Sequence, residues 1–348
     1  MAASGSSLRA AALEAFARRA GVYRTVCGYV PRELVEALGI DAPRLLSPGT
    51  VESESRGEAR SGAGTCSWCK SALGSESAGL TWIGGATCDQ MRRALELSGR
   101  ANGSEPIVIH VPKTRTAEAE ELYVGELRRL AVELERRTGR ALGDASLRQA
   151  IETRGAIRNR IREVRPGLSG SDFAALIHLE SLLPPGAMMD LLDRETLPTG
   201  DLSGIHVLVA GSPHSPADLR WLDLVEESGF SVVADATCTG DRAIAFDVGL
   251  EEGTDPIEAL GRAYFRRPPC PFVRPNDEFY AWVNALAARS EARAVIWRSV
   301  RGCDIHSLEV PRAERIIGLP LLALDMTYGD VDSVRIRTRV EAFAECLR

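Results

Sequence analysis

Short, continuously apolar runs alternate along this chain with longer stretches in which leucines recur every three or four residues. In the second half, residues 205–210 form one such run, closed by Gly-Ser-Pro and followed by Leu219, Leu222, Leu224 and Val225 at helical spacing. Residues 231–236 form a second run ending in Thr-Cys-Thr-Gly, and residues 294–297 a third ending in Arg-Gly-Cys-Asp. A fourth, 319–324, precedes a helix over 331–347. Strands that are apolar throughout, alternating with helices, predict a parallel sheet covered on both faces. In such sheets ligands sit at the carboxyl ends of the strands, where Cys238 and Cys303 fall.

The first half repeats the pattern more weakly. Residues 80–83 run into Gly-Gly-Ala-Thr-Cys88-Asp89 and a helix over 90–97, and residues 107–111 form another strand, stopped by Pro112. Between the halves, 116–163 reads as two long helices in a hairpin broken near Gly139 and Gly143. Another helix starts over 169–172, and Pro184-Pro185 with Pro198 to Gly200 marks a linker. Residues 47–64, rich in Ser, Gly and Glu, read as an exposed loop. The predicted fold class is therefore α/β, two Rossmann-like domains with parallel sheets plus a helical hairpin region. The boundaries are a leading helix at 1–20, a first α/β domain at 21–115, a helical region and linker at 116–200, and a second α/β domain at 201–348.

Composition narrows the function classes. The 348 residues are 45% hydrophobic and 26% charged, an ordinary globular balance. The net charge of -6 argues against a nucleic-acid or anionic-membrane surface. No apolar run approaches the about 20 residues that span a bilayer, and no signal-peptide core is present. The expected location is the cytoplasm. There is no Gly-Lys dipeptide of a nucleotide-binding loop, no His-Glu-x-x-His and no Gly-x-Ser-x-Gly.

Eight cysteines remain to be explained: Cys27, Cys66, Cys69, Cys88, Cys238, Cys270, Cys303 and Cys346. A reducing compartment would not keep them as disulfides. Cys346, and with it Cys27, fits the small buried hydrophobe that free cysteine usually is. Cys66-Ser-Trp-Cys69 lacks the second pair of a structural zinc site, and it follows a loop rather than the strand of a thioredoxin-type pair. Cys66 or Cys69, Cys88 and Cys303 each lie near a helix start, where backbone donors favour thiolates. Three such thiolates can hold an iron–sulfur cluster with one iron open to a substrate oxygen.

Several pieces of the chain resemble signatures of the 2-hydroxyacyl-CoA dehydratase and benzoyl-CoA reductase family, D-component type. They are Gly28-Tyr-Val-Pro-Arg-Glu33, Ala86-Thr-Cys-Asp-Gln-Met-Arg-Arg93, Asp235-Ala-Thr-Cys-Thr-Gly240, Arg267-Pro-Pro-Cys-Pro271, Gly302-Cys-Asp-Ile-His306, and Asp325-Met-Thr-Tyr328 followed by Val334-Arg-Ile-Arg-Thr-Arg-Val-Glu-Ala-Phe343. They occur in the family's order over about residues 22–346. The resemblance implies a lyase subunit with a [4Fe–4S] cluster on Cys66, Cys88 and Cys303, Cys69 being the alternative ligand. It implies a dimer with a related cluster-bearing subunit or with itself, and an ATP-dependent iron–sulfur activator that injects one electron. The substrate would be an acyl-CoA or other acyl thioester, dehydrated through a ketyl radical.

Two readings from the same resemblance stand beside this one. A reductase of the benzoyl-CoA reductase-like or double-cubane type would carry a larger [8Fe–9S] cluster on the extra cysteines, Cys238 and Cys270 among them. A non-catalytic partner would only relay electrons or scaffold its paralogue. A colourless zinc-binding structural protein is a further alternative. Among single residues, Glu33 at a helix start is either a general base or a first-turn carboxylate. His306 either shuttles a proton or is structural, and Cys238 lines a substrate pocket or packs. Arg335 and Arg339, four apart on one helix face, meet a CoA phosphate, a subunit interface or solvent. Tyr328 is placed to approach the pocket from the last strand.

Overall fold

Two parallel sheets form where the unbroken apolar runs predict them. The structure, a computed structural model, describes residues 5–18, 21–75, 78–194, 197–330 and 333–348. The first half contains α1 (Gly5–Arg18), β1 (Tyr23–Val26), α2 (Arg32–Ala37), α3 (Val51–Ser61), α4 (Ser67–Gly74), β2 (Thr81–Ala86), α5 (Asp89–Asn102) and β3 (Ile107–His110). The helical stretch is α6 (Ala117–Thr138), α7 (Asp144–Val164), α8 (Gly170–Leu182) and α9 (Pro185–Arg194). Then follow β4 (Ile205–Gly211), α10 (Leu219–Glu227), β5 (Phe230–Asp235), α11 (Asp241–Ile244), α12 (Pro256–Arg266) and α13 (Asp277–Arg289). The chain closes with β6 (Ala294–Val300), α14 (Asp304–Ser307), α15 (Val310–Ile316), β7 (Leu321–Met326) and α16 (Val334–Cys346).

The sheets run β1-β2-β3 and β5-β4-β6-β7, every pairing parallel. Their central strands are buried on both faces, which is why they read as apolar throughout. One face of the larger sheet buries Val207, Val209 and Ile296 against α8, α10 and α16, and Leu8 and Ala12 of α1 join that core. Its other face carries Leu208, Val295 and Trp297 against Phe279 and Val283 of α13. The smaller sheet packs Ile83, Ile107 and Ile109 against α6 and α7. Phe246, Leu260, Phe265 and Val273, from beyond β5, complete that core, so the chain crosses back to the first sheet between its second and third visits to the larger one.

Several elements differ from the sequence reading. Most of the expected loop at 47–64 is a helix, α3 over Val51–Ser61, with only 47–50 and 62–64 irregular. Thr50 caps α3 by accepting from the Ser53 amide, with Ser53 returning the bond, and a capped helix needs little hydrophobicity of its own when it packs closely on a neighbour. That neighbour is α4, so the Cys-Ser-Trp-Cys pair does open a helix, without a strand before it. Pro184-Pro185 begins α9 instead of a linker, because proline at a first helical turn gives up no helix bond. Cys346 is exposed, since α16 turns Ile336, Val340 and Ala344 inward and leaves it on the outer face. The predicted starts of the leading helix at 1–4 and of the last helix at 331 and 332 lie outside the described residues, as do 19 and 20.

The α3–α4 contact depends on two glycines. A Cβ on Gly57 would overlap the Lys70 carbonyl, and one on Gly74 would overlap that of Ser53. Backbone cannot yield as a side chain can, so Gly57→Ala is expected to cost about 1–3 kcal/mol or more. It should also shift α4 with its two cysteines. Urea denaturation of the variant checks the cost. An unchanged midpoint would show that the two helices separate freely.

Candidate functional site

The carboxyl ends of β1, β2, β4, β5 and β6 feed one cavity of ≈110 Å³, lined by seven of the eight cysteines. Only exposed Cys346 stays outside it. The turn after β2 supplies Cys88, whose sulfur accepts from the Met91 amide at 3.4 Å and so caps α5. The turn after β6 supplies Cys303. Cys66 immediately precedes α4, its amide donating to Gln90 Oε1 at 3.0 Å. Gly302 makes the approach of these last two loops possible. Its φ of +77° suits glycine, and a Cβ there would stand 3.1 Å from Cys66 Cα. The Ser67 amide then bonds the Arg301 carbonyl at 2.9 Å, tying α4 to the second sheet.

Cys27, Cys238 and Cys270 form a second set of thiols in the same cavity. Arg44 clamps Cys238, donating to its carbonyl at 2.9 Å and reaching its sulfur at 3.2 Å. The Cys270 amide donates to the Tyr29 hydroxyl at 3.2 Å. Arg44, Arg242 and Arg267 all line the cavity, and none of its lining residues is an aspartate or glutamate. Arg267 is held by the Gly28 and Arg242 carbonyls and by the faces of Tyr29, Phe246 and Tyr264. Trp68, Met91, Phe272, Val300 and Ile305 provide apolar wall.

Electrostatics separate the two ends. Burial pushes Cys88 and Cys303 each up to about 12. A hydrogen bond from the Cys69 thiol lowers Cys66 in spite of burial, and the same bond with burial raises Cys69 well above its usual value. At the other end burial raises Cys27 and Cys270. Cys238 falls below its ordinary value because Arg44 and then Arg242 outweigh burial. His306, whose carbonyl accepts from Trp297 Nε1 at 3.0 Å, is pushed down to about 3 by burial and is a neutral imidazole at physiological pH.

The fold thus brings Cys66, Cys69, Cys88, Cys303, Cys238 and His306 together. It places the other candidates elsewhere. Glu33 is wholly buried and paired with Arg158 at 2.7 Å and with the Tyr264 hydroxyl at 2.7 Å, beside an adjoining cavity of ≈50 Å³ that shares Cys27, Gly28, Arg44 and Arg267 with the thiol cavity. Arg335 pairs with Asp330 at 3.2 Å and Arg339 donates to the Ala323 carbonyl at 2.8 Å, and neither lines the thiol cavity. Tyr328 packs with Cys66 and Cys69 without reaching that cavity. Arg44 and Arg242 escaped the sequence reading, because nothing beside them marks them among so many arginines.

Donor chemistry tests what this cavity suits. Among the described residues no three His, Cys, Asp or Glu side chains converge closely enough for one metal ion. The thiols stand around a wall instead. All-thiol ligation with no carboxylate suits a soft polynuclear iron–sulfur group, and the neighbouring arginines offset its negative charge. Thiols held protonated by burial release protons when they ligate. No helix among the described residues is long and apolar enough to cross a membrane. A family model described as 2-hydroxyglutaryl-CoA dehydratase, D-component, matches residues 27–347. A search of curated proteins gives no match.

Proposed function

The chain belongs to the 2-hydroxyglutaryl-CoA dehydratase D-component family, and on that premise we propose that it is the iron–sulfur component of a 2-hydroxyacyl-CoA dehydratase-type enzyme. The observation that carries the proposal is the gathering of seven thiols at the strand ends of both sheets. Cys66, Cys88 and Cys303 would hold a [4Fe–4S] cluster, which when bound would supply one low-potential electron and an iron open to a substrate oxygen. A related subunit, or a second copy, and an ATP-dependent activator complete the proposed system.

The chain's own residues have distinct tasks in this reading. Trp68, Met91, Phe272 and Val300 keep water from the reacting acyl group. His306, held neutral by burial, can hydrogen-bond a substrate oxygen or a cluster sulfur through its ring, while the same burial makes it a weak proton acceptor. Arg44, Arg242 and Arg267 hold anionic groups at the far end, where their charge meets no carboxylate in the lining.

A second reading is favoured by the second thiol set. Cys27, Cys238 and Cys270 add three sulfurs to the first four, and those extra sulfurs suit a double-cubane [8Fe–9S] reductase. The assay that separates the two uses the anaerobic protein, alone and with its related subunit, a reduced activator, ATP and a panel of 2-hydroxyacyl-CoA thioesters. Enoyl-CoA formation that requires every component supports the dehydratase. Electron consumption with small unsaturated acceptors, and none with hydroxyacyl thioesters, overturns it in favour of the reductase.

A further inference from the structure

Cys69 is the thiol that the proposed ligand set leaves unused on α4, and its position gives it a task. Cys66 sits immediately before the helix in extended conformation, with φ -66° and ψ 151°, and Cys69 lies in the first turn three residues on. Residues at that spacing on a helix have Cα atoms about 5 Å apart, inside the range of about 4.4–6.8 Å that a disulfide spans. Cys66 and Cys69 perturb each other's ionisation more than any other side chain does. The other first-set sulfurs belong to different elements: Cys88 caps α5 and Cys303 stands on the loop after β6. Cys66 and Cys69 lie within one turn of the same helix start, so joining them moves no second element. Both residues line the thiol cavity, which is the route by which a small oxidant would reach the pair.

We propose that Cys66 and Cys69 are a reversible thiol–disulfide pair, with Cys69 the resolving thiol for Cys66 and a peroxide as the oxidant. The Cys66 sulfur attacks one peroxide oxygen and the O–O bond breaks, giving a sulfenic acid and one water. The Cys69 sulfur then attacks the Cys66 sulfur, the S–S bond forms and the sulfenic oxygen leaves as a second water. Two thiols and one hydrogen peroxide become one disulfide and two waters, the two electrons coming from the thiols. A dithiol reverses the step by exchange. Tied in this way, Cys66 has no thiolate to offer, so the closed pair blocks loading of the cavity. That consequence, unlike the pair itself, rests on the reading of Cys66 as a cluster ligand.

The test uses the full-length, reduced, cluster-free chain treated with one equivalent of hydrogen peroxide. Trypsin cuts after Arg60 and Lys70, so peptide 61–70 carries both cysteines and no other. The expected result is the loss of two hydrogens from that peptide, reversed by dithiothreitol. In the Cys69→Ser variant the same peptide should gain oxygen at Cys66 and progress to sulfinic acid, which dithiothreitol does not restore. Oxygen gained by the parent peptide, or a cross-link from it to the Cys88 or Cys303 peptide, would overturn the proposal. Anaerobic iron and sulfide reconstitution of the closed and reopened forms is the second arm. Uptake only by the reopened form supports the blocking role. A closed peptide in a chain that takes up no iron in either form supports the pair and sinks the ligand reading alone.

Discussion

Anaerobically isolated Cys88→Ser and Cys303→Ser chains are expected to lose iron and acid-labile sulfide together, whereas the parent holds about four irons. A serine hydroxyl stays protonated where a thiol can ionise, so each replacement removes a ligand and leaves the rest of the wall in place. Both thiols are pushed up to about 12 by burial when the cavity is empty. The serine hydroxyl that replaces either one does not ionise at any pH the fold tolerates, so raising the pH will not restore the ligand. Activity in the dehydration assay should fall to background in both variants. Because the cysteines line the cavity and are not the largest part of either core, the far-ultraviolet circular dichroism should be unchanged. About eight irons in the parent, with further loss in Cys238→Ser, would assign the second thiol set to the cluster. A parent without iron or sulfide would remove the cluster from the proposal.

Arg158→Met is expected to be the most destabilising single change away from the cavity, at about 3–5 kcal/mol. Glu33 has no exposed surface, and Arg158 at 2.7 Å and Tyr264 at 2.7 Å satisfy it. Burial works to raise the Glu33 pKa, and the Arg158 charge, with its hydrogen bond and that of Tyr264, brings it below the ordinary carboxylate value. A carboxylate depressed on folding stabilises the native state above its unfolded pKa of about 4.3. That contribution fades as pH falls through the lower folded value. Without Arg158 the sign reverses, because an unpaired buried carboxyl has a raised pKa and binds a proton more readily in the folded state. The deficit of Arg158→Met should consequently be largest at neutral pH and shrink toward pH 5. Adding Glu33→Gln should recover much of it, since the amide keeps an acceptor for Tyr264 and carries no charge. Urea midpoints of the parent, single and double variants at two pH values measure this. A deficit independent of pH would show that lost packing, not the stranded charge, is responsible.

The same network shows how far sequence reasoning reaches. Glu33 was recognisable as a first-turn carboxylate of α2, yet its partners lie far along the chain, on α7 and α12. Nearby, Arg154 sits between Glu36 and Glu180, again joining three helices. Such pairs leave no periodic trace, because each depends on how helices cross. β1 is a similar case. Four residues, Tyr23–Val26, are too short to rise above the pattern, and pairing with β2 makes them a strand. The helix α3 was hidden for another reason. Its residues are polar, and two glycines and a capping threonine, rather than an apolar face, let it lie against α4.

What the chain's pattern by itself determined was the class of fold and the chemistry available to it. Short apolar runs that alternate with helices and end in Gly- or Pro-rich turns point to central strands of covered parallel sheets, and loops after such strands collect ligands. That reasoning located Cys88, Cys238 and Cys303 before any contact was known. Only the tertiary structure decided that the strand ends of two separate sheets share one cavity and that Cys27 and Cys270 join it. It also decided that Arg44, Arg242 and Arg267 charge one end, and that Arg335 and Arg339 lie elsewhere. The physical reason is that periodicity reports which way a side chain faces within its own element. Which side chains meet depends on the packing of elements distant in sequence, as where Gly302 lets one loop touch another beside Cys66.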